Sequence, residues 1–505
     1  MDDGANRKEI ATMRQTEGNE RVNPEKPEKD EEALGDMPPE EFREAAHAVA
    51  DWVADYLEDV GDYPVLSRLR PGELKEGLPR EIPEAGEPFQ PLLEDFRSTI
   101  LPGITHWNHP GFYAYFSITG SGPGILGEIL ASALNVNAMV WRSSPAGTEL
   151  EEHVLGQLRD LLGLPATYRG TINDTASSSS LYAMAAAREA KLPESREEGL
   201  AHAPPGRFYA SDQAHSSIDK AAITLGFGRH GVRKIPSDDA FRLKPDLLRR
   251  AVLEDREAGF RPLGVVATLG TTSTTSLDPV AEMADVAEEL NLWLHVDAAY
   301  GGPAAVAPEF RPLFRGWERA DSIVVNPHKW LFTPIDCSVL YMRREEELRR
   351  AFSLTPEYLE TSEQDEARNL MDYGVALGRR FRALKLWFVL RYFGVDGIRD
   401  RIRLHVEMAR ELAARIDEED EWERVAPVPF STVVFRYAPE GSTQEERERW
   451  NRIIMDRANE TGEVFLSHTV LDDRFCLRVA LGNLRTRRRH VERAWEILRE
   501  VAREL

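Results

Sequence analysis

In the stretch SIVVNPHKWLF, Lys329 follows an apolar run and sits beside His328 and Trp330. Taking an ammonium out of water penalises its charged form. The pKa then falls toward the range in which the amine attacks a carbonyl. Upstream, HVDAAYGG over 295–302 places Asp297 at the end of a second apolar run. Alone, a lysine reads as a solvated surface group. An aspartate and a lysine at two strand ends separated by one crossover are what pyridoxal 5'-phosphate (PLP) requires. The amine forms a Schiff base with the cofactor's aldehyde and the carboxylate pairs with its ring nitrogen.

Three further segments bear on that chemistry. GTINDTASSSSLYAMAAAREA runs from a Gly/Ser/Thr turn into a strong helix former, with Thr175, Ala176 and Ser177 at the helix N-terminus. Free N–H groups and the helix dipole favour a phosphate there, although an ordinary N-cap has the same composition. SDQAHSSIDKAA puts His215 in a strand-to-helix loop. Its flat ring can stack on a cofactor and bind a carboxylate, or serve the loop alone. TLGTTSTTSLDP holds Thr271, Thr272, Thr274 and Thr275, whose hydroxyls either orient Asp297 or simply build a turn.

The elements that must position these residues alternate. Apolar runs RFYAS, LGVVATLG, LWLHVD, SIVVN and SVLYMR are separated by helical segments such as PVAEMADVAEELN. The pattern predicts an α/β fold with a mostly parallel sheet and ligands at the strand ends. We expect an acidic, disordered tail over 1–36, a helical, dimer-wrapping segment over 37–119, a large cofactor-binding α/β domain over 120–395, and a small α+β domain over 396–505. In the second segment Phe42, Ala45, Val49, Trp52, Val53 and Leu57 recur at helical spacing. The helix containing them and PLLEDFRSTILPG are joined by a long arm and cannot bury both apolar faces alone, so a second subunit is expected.

Composition excludes several classes. A formal net charge of −23 disfavours nucleic acid and anionic membranes as partners. No run approaches the roughly 18–20 apolar residues of a membrane span. MDDGANRKEIATM lacks the apolar core of a secretory signal. The two cysteines, Cys337 and Cys476, lie in apolar strand-like runs and read as reduced core residues of a cytoplasmic protein with no metal site.

The segments THWNHPGFYAYF, SSPAGTELE, TASSSSLYAMAAAR, SDQAHSS, TLGTTSTTS, HVDAAYGG, NPHKWL, TPEYL and LGRRFRALKLW together resemble the PLP-dependent group II amino-acid decarboxylases, the family of aromatic-L-amino-acid decarboxylase. The resemblance spans roughly residues 37–505. It implies a fold type I architecture and a homodimer with shared active sites. In it Lys329 carries the cofactor, Asp297 pairs with the pyridine nitrogen and His215 stacks on the ring. Thr175, Ala176, Ser177, Ser322 and Asn326 match phosphate positions, Ala299 and Thr272 pack near the ring, and His328 lies close to the reacting carbon. Tyr358, in TPEYL, matches a tyrosine on a loop given by the partner subunit that returns a proton to that carbon. Aldehyde-forming relatives typically carry phenylalanine there, so Tyr358 favours simple decarboxylation.

Trp107, Tyr115 and Phe116 match aromatic pocket positions and make an aromatic amino acid the first expectation. Ser117 and Ile118 depart from the family's usual Pro followed by a small or hydroxylated residue, which weakens a catechol substrate. Gly378 matches a position where glycine accompanies indole substrates. Arg142 stands where aromatic-specific relatives often have a small or apolar residue. It either recognises a second carboxylate or forms an interface salt bridge. An acidic or aliphatic amino acid is the alternative substrate, and a catalytically silent PLP-fold subunit is the alternative from another class.

Overall fold

The computed structural model describes residues 35–354 and 367–505. The chain divides into two units, Met1–Asp55 and Tyr56–Leu505. The described part of the first is most of the helix Pro39–Asp59, whose acidic first turn, Glu40 and Glu41, suits the positive end of its dipole. None of that helix's residues is buried.

The second unit is built on a seven-stranded sheet. Its strands in chain order are β1 (Arg169–Asn173), β2 (Gly206–Ser211), β3 (Val232–Ile235), β4 (Arg261–Thr268), β5 (Trp293–Asp297), β6 (Ser322–Val325) and β7 (Ser338–Met342). Their spatial order is β1-β7-β6-β5-β4-β2-β3. Only β7 runs against its neighbours, and the other pairings are parallel. Helices cover the sheet, so its central strands are near-continuous apolar runs, buried along their whole length in β5, β6 and β7. The parallel arrangement lines up Asn173, Ser211, Thr268, Asp297 and Val325 at one edge, from which the loops to the following helices depart. In register, Asp297 faces Thr268 on one side and Val324 on the other.

The GTIND segment read as a turn is in fact strand β1; its short alternation of small and β-branched residues is satisfied by pairing with β7. The short strands VRKI and WER carry too few residues for a pattern and were likewise not anticipated.

A second sheet is antiparallel and comprises β8 (Trp422–Arg424), β9 (Thr432–Tyr437), β10 (Ser467–Leu471) and β11 (Arg474–Ala480), in the order β10-β11-β9-β8. The helices Gln444–Glu460 and Arg488–Ala502 pack on it around Trp422, Phe435, Ile454, Leu477, Trp495 and Leu498. Thr443 and Glu446 form a reciprocal capping box at the first of these helices. The long helix Arg382–Asp417 leads into this part of the chain. It is broken at Gly394, whose φ of +63° is open to glycine and strained for other residues.

Candidate active site

Five loops leave the C-terminal edge of the parallel sheet, and two bring the chemistry together. Asn326, at the end of β6, caps the four-residue turn Pro327–Trp330 that carries Lys329. The Asn326 N–H donates to the Ala299 carbonyl (3.1 Å), and the Lys329 N–H donates to the Asn326 carbonyl (3.0 Å). Ala299 in turn donates its N–H to Oδ1 of Asp297 at 3.0 Å. One backbone relay thus fixes the buried carboxylate relative to the lysine. That Ala299 N–H is the hydrogen bond Asp297's carboxylate receives among the described residues, and its other oxygen remains for a ligand N–H.

Burial pushes the Lys329 pKa below the usual lysine value, Asp297 opposes that shift, and the Arg478 guanidinium adds to it. His215 feels the same groups. Burial lowers its pKa first, Asp297 raises it, and Lys329 lowers it further. Nδ1 of His215 accepts the Ser217 N–H at 3.2 Å, so the neutral ring carries its proton on Nε2. His328 is held neutral more firmly: burial and neighbouring Lys329 bring its pKa down to about 3. Its Nδ1 accepts the Cys337 N–H at 2.9 Å, and its Nε2 lies 3.2 Å from Nδ2 of the Asn326 carboxamide.

The residues present fit a phosphorylated pyridine aldehyde. Thr175 takes the extended N-cap conformation of the helix Ala176–Lys191, yet its side chain makes no capping hydrogen bond, so the first-turn N–H groups are left for an anion. Oδ1 of Asn326 and Oγ1 of Thr268 are buried without a partner among the described residues, and Thr268 is in register with Asp297. Ser177 and Thr272 are exposed at the strand edge.

Not every expected residue joins this cluster. Ser322 begins β6, three residues back from the strand's C-terminal end, at the opposite edge of the sheet from Lys329. Its hydroxyl is engaged with Trp293 Nε1 and His295 Nδ1, both at 2.9 Å. Thr271, Thr274 and Ser276 bond one another rather than Asp297, so that hydroxyl chain stabilises its own loop. Gly378 is exposed, and a side chain there would first meet the Asn137 amide. Arg142 is exposed in the turn Trp141–Ser143. Tyr358 lies outside the described residues.

The aromatic residues form two groups. Phe116 stacks on Tyr300 at 3.7 Å and Tyr300 on Trp330 at 5.0 Å, making a column beside the lysine turn. Trp107 stacks with Phe112 and Tyr115, and Phe465 meets Tyr115 edge-on at 6.0 Å. Tyr115 is 55% exposed, the usual state of a cavity wall rather than of a core ring. Ile118 is partly buried just beyond this wall.

Sequence reasoning missed Arg478. It lies on β11, comes from the antiparallel sheet, and is 3% exposed. Its guanidinium stands 4.6 Å from the centre of the Phe116 ring. It donates to the carbonyls of Tyr115 and Ser273, while Nη2 is buried with no partner among the described residues. Burial without a carboxylate brings its pKa down to about 10. The signal was present, since an arginine inside FCLRVAL is a charge in an apolar strand.

A family model described as the pyridoxal-dependent decarboxylase conserved domain matches residues 71–438. Tryptophan decarboxylase 2 of Oryza sativa subsp. japonica is 39% identical over 482 residues, covering 94% of this chain and 96% of its own. Phenylacetaldehyde synthase of a Rosa hybrid cultivar is 39% identical over 485 residues, covering 92% and 94%. A crystal structure of Oryza sativa TDC with PLP and tryptamine aligns with a TM-score of 0.90 at 38% identity, over 93% of this chain and 99% of that one.

Proposed function

The chain belongs to the pyridoxal-dependent decarboxylases, and from that premise we propose that it releases CO2 from an aromatic L-amino acid and leaves the amine, at a site built on Lys329, Asp297, His215 and Arg478. The observation that carries the substrate reading is the pairing of a partnerless Arg478 Nη2 with the aromatic wall of Trp107, Tyr115 and Phe465. A buried, unpaired guanidinium is an anion site, and a substrate α-carboxylate supplies the planar match. The wall offers a flat apolar surface to the side chain.

Bound PLP supplies an aldehyde for the amino group and a cationic ring that takes up the electron pair left when CO2 departs. The protein's own groups do the rest. Asp297 holds a proton on the ring nitrogen, which keeps the sink cationic. Lys329 presents an amine whose protonation burial opposes. His215 covers the ring, with its N–H at Nε2. Thr175, Ala176, Ser177 and Asn326 hold the phosphate at the helix N-terminus and strand end. In this reading Tyr358 returns a proton to the reacting carbon, His328 lies close to that carbon, and Ala299 and Thr272 pack near the ring.

A homodimer belongs to this reading. The helix Gly122–Leu134 exposes Leu126, Ile129, Leu130 and Leu134, an apolar stripe at helical spacing that a second copy would cover. The division at about 119 and 395 belongs to it too: the helix break at Gly394 and the whole antiparallel sheet fall at or after the second boundary. A cytoplasmic setting is supported by Cys337 and Cys476, buried and unbridged. No helix among the described residues is long and apolar enough to cross a membrane. A product screen against L-amino acids tests the proposal. The alternative, an acidic or aliphatic substrate, is favoured if Arg142 proves necessary for turnover.

A further inference from the structure

A cavity of about 700 Å³ lies away from the lysine site, between residues 57–64, the turn 109–111, the loop 461–464 and the start of the helix Arg488–Ala502. Five arginines line it against three carboxylates, in a chain whose net charge is −23. Only part of that positive charge is answered. Glu463 is held by Arg493 through two 3.0 Å contacts. Among the described residues the Arg487 side chain donates only to the Leu484 and Thr486 carbonyls, and the Arg489 side chain only to the His490 ring. Arg485 is partly buried, and its Nη1 is buried with no partner among the described residues.

The sequence makes this imbalance unusual. Arg487, Arg488 and Arg489 stand at the cap and first turn of a fifteen-residue helix, the positive end of its dipole, where acidic residues are favoured and none occurs. Arg488 turns away to Glu407 and Glu411; Arg487 and Arg489 remain on the cavity. His490 reports the resulting field. Burial, then Arg489, His109 and Arg487, bring its pKa down to about 4, and both its ring nitrogens face N–H donors, from Arg487 and Arg489.

We propose that this cavity is a second ligand site, for a small phosphorylated anion bound by Arg485, Arg487 and Arg489 with the helix N-terminus. Several planar forked donors beside the positive end of a helix suit a phosphate group, which presents more acceptor oxygens and more charge than a single carboxylate. The cavity is of ordinary small-ligand size. It also touches the frame of the active site. The Arg485 N–H donates to Oδ1 of Asn483, the Asn483 carbonyl accepts from His405, and Nδ1 of His405 accepts from the indole of Trp330, next to Lys329.

The test is calorimetric titration of the PLP-loaded full-length protein with inorganic pyrophosphate, the cofactor's own phosphate site being filled. One saturable site per chain is expected. Affinity should fall at least about tenfold in the exposed double variant Arg487→Gln/Arg489→Gln, and likewise in Arg485→Gln. Amine production without pyrophosphate should be unchanged in the double variant. Absence of saturable binding, equal affinity in the double variant, or displacement by citrate as readily as by pyrophosphate would each overturn the proposal.

Discussion

Nζ of Lys329 stands 5.2 Å from the centre of the Phe116 ring. The same ring receives Arg478, so two cations share one aromatic neighbour inside a buried site. Their mutual repulsion helps hold the lysine pKa down. The two residues come from different sheets, one from the strand-end turn after β6 and one from β11.

Lys329→Ala should abolish the visible absorbance of lysine-bound cofactor and cut amine production by on the order of 10³-fold or more. Absorbance spectra of PLP-loaded wild type and variant check this. A persisting band would mean that another lysine carries the cofactor.

Arg478→Gln should weaken the amino acid far more than its amine product, because only the former has the carboxylate. Loss of a charge-assisted hydrogen bond is worth about 1.5–3 kcal/mol, so kcat/KM should fall roughly 10- to 150-fold, mostly through KM. Equal weakening of amine and amino acid in binding assays would assign Arg478 a purely structural role.

Tyr358→Phe should leave cofactor absorbance intact while suppressing amine formation. An unaltered rate and product would remove Tyr358 from the proton-return step. Cofactor spectra and quantified amine separate the two outcomes.

Acid should destabilise the fold through its buried histidines. His295 and His405 are pushed from an ordinary 6.5 to about 4 by burial, and His405 must stay unprotonated at Nδ1 to accept the Trp330 indole N–H. Between pH 6.5 and 4 the unfolded chain therefore binds protons that the folded chain refuses. Stability is full above that window and falls as pH drops through it, by up to about 1.4 kcal/mol per pH unit for each such histidine. Denaturant unfolding across pH 4–7 checks this, and His405→Gln should flatten the slope. An unchanged slope would mean that His405 titrates normally.

Much of this site was readable along the chain because it is made at strand ends. Asp297 and Lys329 each close an apolar run, and the parallel sheet sets those ends side by side. What escaped depended on tertiary placement. Arg478 is an interior arginine of a distant antiparallel strand; its pattern marks a charge in an apolar run but not the site that the charge faces. Ser322 was misplaced for a related reason: its strand is right, but it opens that strand and so lies at the wrong edge. The threonine loop after β4 matched by motif, yet its hydroxyls satisfy one another. β1 reads as a turn along the chain because Gly170 and Asn173 are poor strand signals until β7 is there to pair with them.

The most direct test is the product of purified, PLP-loaded protein incubated with single L-amino acids, measuring amine and CO2 together. The account predicts tryptamine, phenethylamine or tyramine in equal amounts with CO2, and none from Lys329→Ala. Amine from glutamate, aspartate or an aliphatic amino acid, with no product from any aromatic one, would contradict it.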